Sequence, residues 1–310
     1  MTSPQTLRDA STVILVRESQ DAPSHWQVLM VKRSAKSSFM PDVYVYPGGA
    51  LDPADCTHNL TSVLEPGWGA DEAHLRLREP QLSPQQALGL YLAAIREVFE
   101  ESGLLIAWDR ATGQLVDLLS SKEKTQAFSK YRAELVQYSI SMHDLLESED
   151  LFLKPSQLGY FARWITPLHL ESRRYDARFF VIKAPLNQRA LPDFSEVVDS
   201  RWARPATFLD DYAQGKIELA PPTISSLKRL AAFSSVDELF ASACQCAPLP
   251  MLPHAVKRDG ALELLLPHHP DYPSQLRESE LLPRWDSEHN LDTPAWNAFS
   301  RTTDGRWVTC

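Results

Sequence analysis

The sequence predicts an α+β protein. Two apolar, strand-length runs lie close together near the N-terminus, one long helix has both ends marked, and three further strand-like runs are followed by helical stretches. Ser11–Val16 and Trp26–Val31 flank a polar turn containing Asp21, Pro23 and Ser24, so they read as a hairpin-like pair. A third strand, Val43–Tyr46, stops at Pro47-Gly48-Gly49, which holds the only Gly-Gly pair in the chain. From Asp52 to Pro80 the sequence is polar, aperiodic and rich in Pro, Gly and Asp, and reads as a long irregular excursion.

The next element is a helix with start and stop signals. Ser83 is a good N-cap, Pro84 suits the first helical position, and Gln86 completes a capping-box pattern. Ala87, Leu88, Tyr91, Leu92, Ile95, Val98 and Phe99 recur at helical spacing, and Gly103 stands where a left-handed terminus is needed. Residues 115–150 read as a helical insertion with an acidic end, Glu147–Asp150. Phe161–Ile165, Ala177–Ile182 and Val197–Trp202 read as strands, and Pro205–Gln214 and Thr223–Phe233 as helices. Proline rises from Ala247 onward, where only Ala261–Leu266 is strand-like. Residues 1–245 are therefore expected to form one domain, with 246–310 a Pro-rich extension packed on it.

Composition narrows the function. With 31 Lys plus Arg against 40 Asp plus Glu, the net charge of −9 argues against a partner gripped as a polyanion, so no nucleic acid is expected. Cys56, Cys244, Cys246 and Cys310 are too few and too irregularly spaced for a disulfide framework or a zinc site, and read as free thiols. The apolar run Thr12–Val16 is closed by Arg17 and Glu18, and no window approaches the roughly 18 apolar residues of a membrane span. A soluble, cytoplasmic protein without a membrane partner is expected, and the sequence leaves its oligomeric state open.

The chemistry concentrates in Arg96-Glu-Val-Phe-Glu-Glu-Ser-Gly-Leu104. At about 100° per residue, Glu97 and Glu101 lie about 40° apart and Glu100 about 60° to the other side, so three carboxylates crowd one stripe. An isolated helix gains nothing from that repulsion, whereas a hard divalent cation turns it into binding energy. Arg96, one turn before Glu100, can steer that carboxylate. A solvated acidic face is the bland alternative; a chance match to the whole pattern is on the order of one in ten thousand.

Arg96-Glu97, Glu100-Glu101 and Gly103-Leu104 resemble the second half of the box that marks the Nudix hydrolases, and Pro47-Gly48-Gly49 resembles its glycine pair. The two halves are set unusually far apart by the excursion over 52–82, and Leu88 stands where the common box carries a glutamate. With Trp164–Pro167, Arg173–Phe180, Glu196–Val198, Trp202 and Leu219–Thr223, the chain is similar over most of its length to the branch that includes the coenzyme A diphosphatase called nucleoside diphosphate-linked moiety X motif 19. The resemblance implies a Nudix fold, with a mixed β-sheet sandwiched between helices. It also implies a metal-dependent diphosphatase acting on coenzyme A or acyl-coenzyme A, a small-molecule nucleoside diphosphate derivative. Pyrophosphatase action on ADP-ribose, nucleotide sugars or dinucleotides is the alternative, and a non-catalytic nucleotide sensor a further one. The peroxisomal relatives carry a terminal targeting tripeptide, which Val308-Thr309-Cys310 does not resemble.

On this reading Glu97 and Glu101, with Glu100 alongside, hold Mg2+ or Mn2+, which neutralises the diphosphate and activates water. Glu100 or Glu196 serves as general base, and Arg96 steers Glu100. Gly48 and Gly49 let phosphates approach the backbone. Arg33 belongs to the substrate site. Arg173, Arg174 and Arg178 either grip phosphate or pair with Asp176, Glu171 or the acidic insertion. His268 and His269 read as surface residues, and Trp164 and Trp202 as core.

Overall fold

A computed structural model describes residues 6–19, 25–37, 40–168, 170, 173–245, 248–277 and 294–310. The expected turn at Asp21–Ser24, Glu171 and Cys246 lie outside the described residues.

The chain opens with long strands, β1 (Leu7–Glu18) and β2 (Trp26–Arg33), antiparallel at Val16↔Val28. β3 (Val43–Val45) pairs with β2, and a short β4 (Gly48–Ala50) lies antiparallel on β1, with Gly49 opposite Ser11. A three-residue strand carrying two glycines has no period to detect, so sequence reading assigned no strand there.

The excursion is more ordered than expected. It holds 3-10 turns at Pro53–Cys56 and His58–Val63 and a helix, α1 (Ala70–Leu77). Leu60, Val63, Trp68, Ala73 and Leu77 bury their side chains in the core. They are too widely and unevenly spaced to register as one periodic segment.

The helix α2 (Pro84–Ser102) has the expected ends. Ser83 Oγ accepts from Gln86 N–H at 3.2 Å, Gln86 Oε1 accepts from Ser83 N–H at 2.9 Å, and Gly103 has φ 72° and donates to Phe99 O. A short β5 (Trp108–Asp109) leads to α3 (Lys122–Val136) and α4 (Met142–Ser148), then β6 (Leu151–Phe152) closes on β5. β7 (Gly159–Ile165), β8 (Arg174–Lys183) and β9 (Val197–Ala203) follow. After them come α5 (Pro205–Ala213), β10 (Glu218–Leu219), α6 (Pro221–Leu230) and α7 (Val236–Gln245), the last passed over by the sequence reading.

The main sheet runs β10-β3-β2-β1-β8-β7 and then β11 (Pro250–Met251), with β4 off β1 and β9 off β2. β1 pairs with β8 in parallel while β2, β4 and β9 pair antiparallel with their neighbours, so the sheet is mixed. Period-two alternation divides its side chains between two layers. Val13, Leu15 and Leu29 face α2; Ile14, Val16, Val28 and Met30 face α5, α6 and α7. The sandwich expected from the sequence is thus formed. Phe99, 1% exposed, anchors α2 in the first layer, and truncating such a ring costs about 3–5 kcal/mol.

The C-terminal residues build more than the single expected strand. β12 (His254–Arg258), β13 (Ala261–Leu265), α8 (Ser274–Arg277), β14 (Ala298–Arg301) and β15 (Trp307–Thr309) include a four-stranded antiparallel sheet. Leu264, Leu266 and Phe299 enter the core beside Trp164, whose ring lies 6.5 Å from that of Phe299. Among the described residues no helix is long and apolar enough to cross a membrane.

Candidate active site

The site forms where α2 passes over β4. Arg96 stands at its centre. Its Nη1 donates to Glu97 Oε1 and Glu100 Oε2, each at 3.0 Å, so the steering of Glu100 read from helical spacing is present and extends to Glu97. Nε and Nη2 donate to the two oxygens of Asp55, also at 3.0 Å, and Nη2 reaches Ala50 O at 3.3 Å.

Asp55 is a residue to which the sequence reading assigned no role in the site. It sits on the first 3-10 turn, fixed by a capping box in which Asp52 accepts from Ala54 N–H and Asp55 accepts from Asp52 N–H. The turn fits against α2 because position 89 is glycine: a Cβ there would lie 2.7 Å from Cys56 Sγ. Leu88, where the box normally carries an acid, is buried in the core, and Asp55 supplies a carboxylate to Arg96 instead. The available signal was Asp52-Pro53-Ala54-Asp55, a helix-start pattern lying inside a stretch otherwise without period.

The glycine pair and the helix meet. Gly48 N–H donates to Glu101 Oε2 at 3.0 Å, and a Cβ on Gly49 would fall 2.4–2.6 Å from the Glu97 carboxylate. Glu101 is 5% exposed. Burial, reinforced by the neighbouring Glu97, pushes its carboxyl well above the ordinary range despite the Gly48 hydrogen bond. Burial also raises Glu97 to about 7 and raises Glu100, with Arg96 opposing in both cases. Asp55 is likewise raised by burial against the pull of Arg96.

The donor set therefore fits a hard cation: one guanidinium serves three half-buried or buried carboxylates, and the fourth, Glu101, is held by a backbone N–H. The expected cage is not already assembled. Among the described residues no three acidic or other metal-ligating side chains converge on one point, because Glu97 and Glu100 are turned to Arg96 and Glu101 to Gly48. A cation would have to draw Glu97 away from Arg96.

Two neighbours border the cluster. Arg33, at the end of β2, donates to Ser37 Oγ and exerts its charge on Glu101. Glu196 is exposed just before β9, its carbonyl accepting from Ser34 N–H, and its charge raises both Glu100 and Glu101. From α3, Arg132 donates to Glu100 O at 2.8 Å, satisfying a carbonyl at the end of α2. Tyr138, 82% exposed with φ 55°, also stands near these acids; partial burial and then Glu100 raise its phenol.

The other three arginines are not brought to the carboxylates. Arg178 is 1% exposed and donates to Asp9, Glu79 and Asp176 O, within a buried network that includes Arg163 and Tyr160. Its partners beyond Asp176 come from Glu79 and Asp9, which lie far away in the sequence. Arg174 is buried and donates to Thr166 O. It pairs with Leu7, four residues before the Ser11 that faces Gly49, which places it roughly 13 Å along the sheet. Arg173 is exposed at that same remote end. Trp164 is core, as expected, whereas Trp202 is only half-buried; His268 is half-buried with Nε2 on Trp296 O at 2.9 Å.

Comparison with known proteins gives the family. Residues 7–230 match the model of the NUDT19 Nudix domain. The chain is 28% identical over 242 residues to acyl-coenzyme A diphosphatase NUDT19 of Xenopus laevis, covering 71% of this chain and 63% of that protein. It is 25% identical over 268 residues to the Homo sapiens protein of the same name, covering 76% and 72%. Among solved structures, a NUDIX hydrolase from Alicyclobacillus acidocaldarius shares the fold with a TM-score of 0.59 and 23% identity, over 76% of this chain and 96% of that one. From the reassembled glycine pair and carboxylate helix, and from a family match spanning most of its length, the chain belongs to the Nudix superfamily, in the family of NUDT19 Nudix domains.

Proposed function

We propose that this protein is a metal-dependent hydrolase that cleaves the diphosphate of coenzyme A or acyl-coenzyme A to adenosine 3',5'-bisphosphate and (acyl-)4'-phosphopantetheine. The single observation that carries the chemistry is the crowding of Asp55, Glu97 and Glu100 around one guanidinium, with Glu101 beside them on the Gly48 N–H. The substrate class is supported by relatives named acyl-coenzyme A diphosphatase.

Glu97 and Glu101 would hold Mg2+ or Mn2+, which when bound neutralises diphosphate charge and lowers the pKa of water in contact with it. The chain's own residues do the rest. Arg96, itself locked by Asp55, holds Glu100 and, until a cation draws it away, Glu97. Gly49 leaves the Glu97 carboxylate open on the β4 side. Glu100, held within the cluster, and Glu196, exposed beside it, are the two carboxylates to which we assign acceptance of a proton from the attacking water.

Hydrolysis assays with coenzyme A, acyl-coenzyme A, ADP-ribose, a nucleotide sugar and a dinucleotide, each with Mg2+ or Mn2+, test the proposal. Turnover of the coenzyme A species is expected to exceed that of the others. No turnover of any coenzyme A species would overturn it, whether another diphosphate is cleaved or none is.

A further inference from the structure

With Arg174 and Arg178 buried elsewhere, a different guanidinium stands near the C-terminal end of α2 without a partner among the described residues. The segment after β8 crosses the C-terminus of α2: Leu191 N–H donates to Ser102 O at 2.8 Å, and the Gln188 side chain is fixed by Leu105 N–H and by the carbonyls of Leu105 and Val116. Between this segment and β9 lies an open cavity of about 440 Å3, lined by Arg17, Gln188, Arg189, Ser200 and Trp202 together with the apolar stretch 190–192. That volume is in the range of small-molecule sites.

The floor of this groove leads to the carboxylates. Trp202 pairs with Leu29 and Ser200 with Val31, and Leu29 belongs to the layer that packs on α2. Alternate residues share a face, so Trp202 and Ser200 look to the α2 side. The same pair of strands ends at Arg33 and Val197, next to Glu196 and Glu101. Ser200 is four residues from Glu196, roughly 13 Å along an extended strand.

The lining is positive. Among the described residues no carboxylate borders the groove, while two guanidinium groups do. Arg17 is fixed, its Nε donating to Gln27 Oε1 at 3.0 Å and its guanidinium lying 4.2 Å over the Trp202 ring. Arg189 is exposed and makes no hydrogen bond or ion pair among the described residues. An unsatisfied planar guanidinium beside an aromatic wall suits a phosphomonoester attached to a nucleoside.

We propose that this groove takes the 3'-phosphorylated nucleoside arm of the substrate, with Arg189 reading the phosphomonoester, Arg17 adding charge and Trp202 forming the apolar wall. It rests on the coenzyme A reading above, and it makes Arg189 a specificity-determining residue.

The test compares coenzyme A with dephospho-coenzyme A, which lacks only the 3'-phosphate, for wild type and Arg189→Ala, a change at an exposed side chain. Loss of one charge-assisted contact should lower the preference for coenzyme A, as the ratio of kcat/KM values, by roughly tenfold or more, mainly through KM. An unchanged ratio overturns the proposal. A second arm needs no turnover: calorimetry with adenosine 3',5'-bisphosphate and AMP. Wild type should prefer the bisphosphate and Arg189→Ala should lose that preference; equal affinities in wild type, or a preference untouched by the substitution, overturn the groove assignment. If wild type cleaves neither coenzyme A nor its dephospho form, the functional reading fails, and this binding arm still decides the groove.

Discussion

The guanidinium of Arg96 donates two hydrogen bonds, each 3.0 Å, to the carboxylate of Asp55, 41 residues upstream. The pair joins the excursion to the carboxylate helix and leaves Nη1 to hold Glu97 and Glu100. Their side chains are 12% and 6% exposed, so removing Asp55 leaves Nε and Nη2 of Arg96 short of their carboxylate in a largely dry site. Asp55→Ala should destabilise the fold by about 3 kcal/mol and release Glu97 and Glu100 from their observed rotamers. Urea denaturation measures the first effect and turnover the second; a variant as stable and active as wild type would show that the pairing does not matter.

Glu97 and Glu101 are disfavoured in their charged forms without a cation, chiefly by burial. Replacing either by the neutral, equally sized Gln should leave the cation-free protein at least as stable while lowering turnover by more than about a hundredfold. Thermal unfolding in chelator, set beside turnover of the same preparations, checks both halves.

Gly49 faces the Glu97 carboxylate so closely that a methyl group must displace it. The obstacle is the end of a side chain, so Gly49→Ala should fold with little change in Tm. Its turnover should fall by roughly tenfold or more, the scale on which misplaced supporting groups act. A fully active Gly49→Ala would remove Glu97 from the working geometry.

Arg178 and Arg173 should behave oppositely. Arg178→Ala leaves Glu79 and Asp176 short of a buried partner and should cost about 3–5 kcal/mol. Arg173→Ala, at an exposed position remote from the carboxylates, should change stability by less than about 0.5 kcal/mol. Its turnover should stay near that of wild type. A large loss of turnover for Arg173→Ala, with stability intact, would return that residue to the substrate site.

Acid stability should report on Asp193, whose oxygens accept from the N–H groups of Ser195, Glu196 and Val197. Partial burial raises its pKa, but those bonds and the Ser195 hydroxyl win and hold it below the ordinary aspartate value of 3.8. A depressed folded pKa contributes stability that is present above the unfolded pKa and is lost as pH falls through the folded one. Asp193→Asn should therefore be less stable than wild type at neutral pH, by about 1 kcal/mol, with the difference shrinking below pH 3.8. Denaturation series at neutral pH and in acid measure it; a difference that grows in acid would contradict the assignment.

How much of this was legible in the sequence depended on whether the signal was local. The ends of α2 and the steering of Glu100 by Arg96 were readable because capping chemistry and periodicity act within one element, whereas the sandwich was implied by the family resemblance. The Asp55 partnership was not, since it joins a 3-10 turn to a helix across the excursion and no spacing rule spans that distance. Arg178 was left open between phosphate and an acidic partner for the reverse reason. A run of arginines beside an aspartate looks the same whether it faces phosphate or closes a buried network, and only Glu79 and Asp9, contributed from other parts of the chain, decide it. The sheet formed by β12–β15 was hidden because its strands are short and interleaved with prolines.

The central claim is metal-dependent hydrolysis of a coenzyme A diphosphate by the carboxylates on α2. Its most direct test is mass spectrometry of products from coenzyme A in 18O-labelled water with Mg2+ or Mn2+, for wild type and Glu101→Gln in parallel. Wild type should yield adenosine 3',5'-bisphosphate and 4'-phosphopantetheine, one of them carrying the label, with chelator abolishing both and Glu101→Gln yielding almost none. Absence of these products from wild type, or equal amounts from Glu101→Gln, would contradict the account.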